Sequence, residues 1–240
     1  MKCNILFVIL QIAMKDTTVL DSLVGNASHI SIVVHTHPDG DAIGSGTAML
    51  CYLTQSRGKD AALIVPDSIP DSISFITRGA ADGSILVFDE EKERASARIN
   101  ASYYKMVCYG KAPKVLIDHH LNPDIEAFGL VFSETEVSSA SELLFWILLD
   151  MPDIGGKASS LPKTSASALL TGMTTDTNNF ANSVFPGTLE MASKLIEAGV
   201  DRDGILSELY NNYRENRLRL MGFLMMEKLR ITPFGVAFII

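Results

Sequence analysis

Apolar residues along the chain fall into short, β-branched runs, separated by longer stretches in which apolar positions recur at helical spacing. The runs predict strands at Ile30–Val34, Ala61–Val65, Ile85–Phe88, Lys114–Ile117 and Leu130–Phe132. The longer stretches predict helices at Ile43–Gln55, Ser139–Leu149, Thr164–Met173, Leu189–Glu197 and Arg202–Tyr213. Ser138 and Ser139 followed by Glu142 form a capping-box-like start for the second helix, and Gly199 stands where a C-cap glycine would close the fourth. Strands alternating with helices predict an α/β fold, a mainly parallel sheet with helices on both faces. In that architecture polar chemistry collects in the loops at the carboxyl ends of strands.

The two ends of the chain read differently. Cys3–Met14 is mostly apolar and follows Lys2, but the run is too short to span a bilayer and no small-residue cleavage pattern follows it. A packed N-terminal helix within 1–28, or a start at Met14, is the expectation. After about Met221 the pattern changes to Ile231-Thr-Pro-Phe-Gly and Val236–Ile240, which reads as a strand opening a truncated second domain over 222–240.

Composition narrows the classes. Hydrophobic residues make up 47% and charged residues 20%, the balance of a soluble protein with a substantial core. The formal net charge of −8 and the absence of a long Lys/Arg run argue against tight binding of long nucleic acid. A small phosphorylated substrate held through metal ions is still compatible with that charge. Cys3, Cys51 and Cys108 form no CxxC pair, so neither a zinc knuckle nor a disulfide framework is expected, and a reducing cytoplasm is the plain reading.

The first strand runs into His35-Thr-His-Pro-Asp-Gly-Asp-Ala-Ile-Gly-Ser45. Asp39 and Asp41 would repel each other at the end of a buried strand, and a divalent cation removes that cost. Mixed carboxylate and imidazole donors suit manganese, iron or zinc. The bland alternative is a polar loop, with Asp39 in a turn and Asp41 capping the helix. A nucleotide-binding glycine loop is disfavoured, because Gly40, Gly44 and Gly46 lack the dinucleotide spacing and sit beside carboxylates. The fourth strand leads into Asp118-His119-His120-Leu-Asn-Pro123, so four of the five histidines fall in two strand-end loops. The third segment is Thr171-Gly-Met-Thr-Thr-Asp-Thr-Asn-Asn-Phe180, where Asp176 reads either as a ligand or as an Asx turn in a helix-ending loop.

Together these segments resemble the DHH phosphoesterase family, in particular its nano-RNA ribonuclease and 3′-phosphoadenosine phosphatase branch. His35-x-x-Pro38-Asp39-Gly-Asp41-Ala-Ile-Gly-Ser45 looks like the first motif of that family, Ile117-Asp-His-His-Leu-Asn-Pro123 like its third, and Gly172-x-x-Thr-Asp176-Thr like its fourth. Arg217-Leu-Arg-Leu-Met-Gly222 resembles the exit from its catalytic domain, which would cover 29–221. The resemblance implies two divalent ions, usually manganese, with His35 and Asp39 on one and Asp41, His119 and Asp176 on the other. His120 would face the substrate phosphate or leaving group, and Asp118 would orient a neighbouring ligand. His37 occupies a variable position and takes no ligand role. Implied substrates are short RNA or 3′,5′-bisphosphorylated adenosine, cleaved by a two-metal mechanism. Inorganic pyrophosphate is the alternative within the family, and a homodimer is one assembly it allows.

Two departures qualify that expectation. The family's second motif supplies an aspartate that bridges both metals, at the end of a strand before the DHH triplet. Asp89 is the remaining candidate for it, but Ile85-Leu-Val-Phe-Asp89 looks more like the preceding strand, and Ala101–Ala112 joins directly to the DHH strand. A central strand with its bridging carboxylate is therefore expected to be missing. No glycine- and histidine-rich substrate-gripping motif occurs before Ile240 either. The second functional reading is thus a degenerate or truncated family member that binds metal or nucleotide with little turnover.

Overall fold

The structure, a computed structural model, describes residues 17–87 and 110–240. Cys3–Met14, Asp89, Cys108 and all but the end of Ala101–Ala112 lie outside the described residues. The chain divides into two compact units, Met1–Arg202 and Asp203–Ile240.

The first unit is built from two parallel sheets flanked by helices. After a helix over 17–26 (α1) come β1 (His29–Val33), α2 (Gly40–Cys51), β2 (Asp60–Val65) and β3 (Ile85–Val87). Strands β1 and β2 pair in parallel from His29↔Asp60 to Val33↔Ile64, and β2 pairs with β3 from Leu63↔Ile85. β4 (Val115–Asp118) and β5 (Leu130–Ser133) form a separate parallel pair, from Val115↔Leu130 to Asp118↔Ser133. Then follow α3 (Ala140–Asp150), α4 (Lys163–Asp176) and α5 (Pro186–Glu197). The α/β class is the one the alternating pattern predicts, and among the described residues β1–β3 and β4–β5 are hydrogen-bonded as two separate groups. Among the described residues, β1 pairs on one side only and its side chains alternate between exposed and half-buried, whereas β2, with a neighbour on each side, buries Leu63 and Val65.

The core lies where α2, α3 and α4 meet. Ile43, Leu50, Leu53, Phe145, Leu148, Leu169, Leu170 and Met173 are fully buried there. Small residues let the helices approach closely. A Cβ placed on Gly44 would stand 2.7 Å from the Cα of Gly172 and 2.8 Å from the carbonyl oxygen of Ala168, so backbone meets backbone at this crossing. Gly44→Ala must push α2 and α4 apart, and we expect it to cost about 1–3 kcal/mol of stability. Chemical denaturation measures this; a variant as stable as the parent would show that the crossing yields easily.

Element ends depart from the sequence reading for local reasons. Helix α2 begins at Gly40 rather than Ile43, because the Asp39 carboxylate caps it by accepting the Ala42 N–H at 2.9 Å. Its last predicted residues form a π turn, Tyr52–Ser56. Helix α4 continues past Met173 to Asp176, with the Thr174 and Thr175 hydroxyls turned back to donate to the carbonyls of Leu170 and Gly172. Asp176 is therefore the last residue of a helix, not an Asx turn. Gly199 has φ +90 and follows α5, as a cap requires.

In the second unit the helix begun at Arg202 (α6, Arg202–Tyr210) stops short of the predicted Tyr213. α7 (Glu215–Phe223) follows, and then a π turn, Leu224–Lys228. The expected single C-terminal strand is instead an antiparallel hairpin of β6 (Leu229–Ile231) and β7 (Ala237–Ile239). The Arg217 guanidinium sits 4.4 Å above the Tyr213 ring. No described helix is long and apolar enough to cross a membrane.

Candidate metal centre

Three elements bring one carboxylate or imidazole each to a common point: Asp41 in the first turn of α2, His119 just after β4, and Asp176 at the end of α4. One ligand atom from each lies within 4.8 Å of the other two, and among the described residues no other three His, Cys, Asp or Glu side chains do so. His119 Nε2 is 3.6 Å from Asp176 Oδ2 and 3.8 Å from Asp41 Oδ2.

Asp41 is 5% exposed, and its carboxylate spans the first N–H groups of α3. Ala140 donates to Oδ2 at 2.8 Å and Ser141 to Oδ1 at 2.9 Å. The start of a helix favours an anion at that position. Burial nevertheless pushes the Asp41 carboxyl above its ordinary range, against the lowering effect of Ser141, Ala140 and His119. Burial raises Asp176 as well, and the charges of Asp41 and Asp39 raise it further. Asp176 also ends a helix, where the partial charge is negative and a carboxylate is disfavoured. Two carboxylates that resist ionisation beside one imidazole make a site that a divalent cation would relieve, with a donor set suited to manganese, iron or zinc.

His35 and Asp39 form a second, more exposed pair, with Nε2 3.8 Å from Oδ1. The His35 ring also meets the Thr36 carbonyl through Nδ1 at 2.8 Å. His120 Nδ1 lies 2.8 Å from Asp118 Oδ1, which also accepts the His120 backbone N–H at 3.1 Å. Burial alone would raise Asp118, but the two hydrogen bonds from His120 outweigh it and lower its pKa. The same contact raises that of His120, whose ring stacks at a tilt 4.4 Å from that of His119. His37 points away from the cluster, its ring 95% exposed and its backbone at φ +52.

Some contributions were hidden from sequence reasoning. Asp67, just past β2, accepts the His37 N–H at 2.5 Å and so steadies the first loop. Gly172 leaves room for the α3 terminus, since a Cβ there would stand 2.1 Å from Ser141 Oγ and 3.2 Å from Asp41 Oδ1. Gly40 likewise accommodates Thr175, one residue before Asp176. Gly40 stands between Asp39 and Asp41 in the sequence, whereas Gly172 has no acidic neighbour, and both have meaning only once the two helices are known to cross.

Asp176→Asn provides a test of the electrostatics. A carboxyl with a raised pKa costs native-state stability as pH rises from the ordinary carboxylate range through the raised value. The metal-free Asn variant should therefore melt about 2–4 °C higher near neutral pH, the shift that about 1 kcal/mol produces in a chain of this size. The gap should close in acid, where the aspartate is protonated in both states. A lower melting temperature for the variant at every pH would contradict this account.

Comparison with known proteins places the chain in a family. The DHH family, N-terminal domain, matches residues 29–173, and the chain belongs to that family. It is 27% identical over 239 residues to the cyclic-di-AMP phosphodiesterase GdpP of Geobacillus thermodenitrificans, covering 91% of this chain and 35% of that protein. It is 26% identical over 206 residues to the cyclic-di-AMP phosphodiesterase PdeA of Listeria monocytogenes, covering 76% of this chain and 30% of that one. The chain thus spans about a third of the length of these two curated relatives. In three dimensions it superposes on an exopolyphosphatase-related protein from Bacteroides fragilis with a TM-score of 0.77 and 31% identity, covering 91% of this chain and 66% of that structure. These relatives support the DHH family as a whole rather than the ribonuclease and phosphatase branch that the motifs resemble.

Proposed function

We propose that the chain is a metal-dependent phosphoesterase, acting in the cytoplasm on a small phosphorylated nucleotide. The observation that carries this reading is the convergence of Asp41, His119 and Asp176 beside a histidine held by its own aspartate. Asp41, His119 and Asp176 would hold one divalent ion, probed first with manganese, and His35 with Asp39 would hold a second. Such ions supply Lewis-acid stabilisation of charge on the phosphoryl oxygens and activate water for in-line attack.

The chain's own groups do the rest. With Nδ1 engaged by Asp118, His120 keeps Nε2 for the substrate, and its raised pKa favours the protonated ring. A protonated Nε2 can donate to a phosphoryl oxygen or give its proton to the leaving oxygen. Asp118 fixes the ring's orientation and stabilises its positive charge.

The motifs point to short oligoribonucleotides or 3′,5′-bisphosphorylated adenosine as substrates. The names of the relatives add cyclic di-adenosine monophosphate to the panel. We expect manganese-dependent, chelator-sensitive hydrolysis of at least one of these, and release of product from inorganic pyrophosphate would redirect the assignment within the family. No cleavage at any metal concentration would favour the second reading, a family member that binds without turnover.

A further inference from the structure

The N-terminal end of α3 holds Asp41, so whatever fixes that end also fixes a candidate ligand. The groups that do so converge on Glu142, a side chain that takes no part in the centre itself. Glu142 is 1% exposed. Its Oε2 accepts the Ser138 backbone N–H at 2.8 Å, the Ser138 hydroxyl at 2.5 Å and the Thr188 hydroxyl at 2.7 Å. On the other oxygen, a Cβ on Gly187 would stand 2.8 Å from Oε1, so only glycine leaves space there for the carboxylate. The motif read from sequence as a capping box is therefore half fulfilled. Ser139 accepts the Glu142 N–H at 3.0 Å, as a cap should, but the Glu142 side chain passes over Ser139 to reach Ser138 and α5.

Two connections run outward from this carboxylate. Through Ser138 and the Ser139 cap it sets the start of α3, whose next two N–H groups hold both oxygens of Asp41. Through Thr188, whose Oγ1 also accepts the Phe185 N–H at 3.0 Å, it pins the far end of the loop that begins after Asp176. That loop has positive φ at Asn178, Asn179, Phe180 and Ser183, a backbone that persists only where its surroundings impose it. One buried carboxylate thus joins the segments flanking two of the three clustered side chains.

Resting on the metal-centre reading above, we propose that Glu142 is a positioning residue for the metal site, acting through the α3 terminus on Asp41 and through Thr188 on the Asp176 loop. Outer partners that orient ligands change metal affinity by about 10–100-fold. Glu142→Gln should weaken manganese binding by about tenfold in calorimetric titration and alter the paramagnetic resonance line shape of the bound ion. Thr188→Val, which loses only the hydroxyl, should weaken binding to a smaller degree, and Thr188→Ser should restore it. Arg57→Met serves as the stability control. It breaks contacts to Asp21, Tyr52 and Asp153 away from the centre, so it should lower the melting temperature without changing manganese affinity.

Parental affinity and line shape in a folded Glu142→Gln variant would overturn the proposal. So would an equal loss of affinity in Arg57→Met, which would make the effect one of general stability. Should Glu142→Gln fail to fold, the Thr188 pair decides: equal affinity for Val and Ser counts against the proposal. Failure of the unaltered chain to bind manganese removes the metal reading and this inference together, whereas unchanged binding in the variants removes this inference alone.

Discussion

Replacing His119 with alanine should weaken manganese binding by at least ~100-fold, because even groups one step removed from a metal change affinity by 10–100-fold. Hydrolysis should fall to background with it. His119 is the imidazole within 4 Å of both Asp41 and Asp176, so its loss removes the ligand between two carboxylates with raised pKa values. His120→Ala should behave differently, although the two rings touch. Its ring is held by Asp118 and is 69% exposed, so metal content should change little while turnover slows by about 10²–10⁴-fold, the usual weight of a positioned acid or base. Calorimetry with manganese and a single-turnover assay on the same preparations separate these outcomes. Equal loss of metal in both variants would contradict the division of roles.

The pH profile carries the same distinction. His120 has a raised pKa through its contact with Asp118, so an activity that needs the protonated ring persists at lower pH and declines as pH rises through that value. Asp118→Asn removes the cause of the shift and should move the alkaline limb to lower pH. An unmoved limb would assign it to a different group.

From β1 to α6 the order of strands and helices was legible in the sequence, because β-branched runs and helical spacing differ in period and this part of the fold obeys both, whereas α7 and the C-terminal hairpin were not. The three motifs were legible for a related reason. Chemistry at strand ends concentrates rare residues, as it does in the two loops that hold four of the five histidines. What escaped depends on contacts between distant residues. Nothing near Asp41 in sequence announces that its oxygens meet the N–H groups of Ala140 and Ser141, about a hundred residues away. The extension of α4 to Asp176 was hidden because threonines are poor helix formers in isolation, and only their hydroxyl bonds back to the preceding turn reveal how the helix continues. Asp67 looks like an ordinary polar residue until its partner is known, and Glu142, legible as part of a capping box, gives no sign in sequence that it reaches Thr188.

The sequence lacks a convincing second motif before the DHH triplet, and most of the segment in which it would fall lies outside the described residues. Asp41, His119 and Asp176 offer three donors to one ion, while His35 and Asp39 offer two at an exposed position. Two protein donors hold a hard divalent ion poorly when water competes for the remaining positions. We therefore expect one manganese to bind at least ~100-fold more tightly than a second, a difference of about 2.7 kcal/mol. Phosphoester hydrolysis should be slow at ordinary metal concentrations and should rise with manganese well after the first site is full. His35→Ala should leave the tight site untouched and remove that later rise, whereas Asp176→Asn should eliminate the tight site itself. Two equivalent tight sites with brisk turnover would mean that a bridging carboxylate is present after all, and Asp89→Asn would then test whether that residue supplies it.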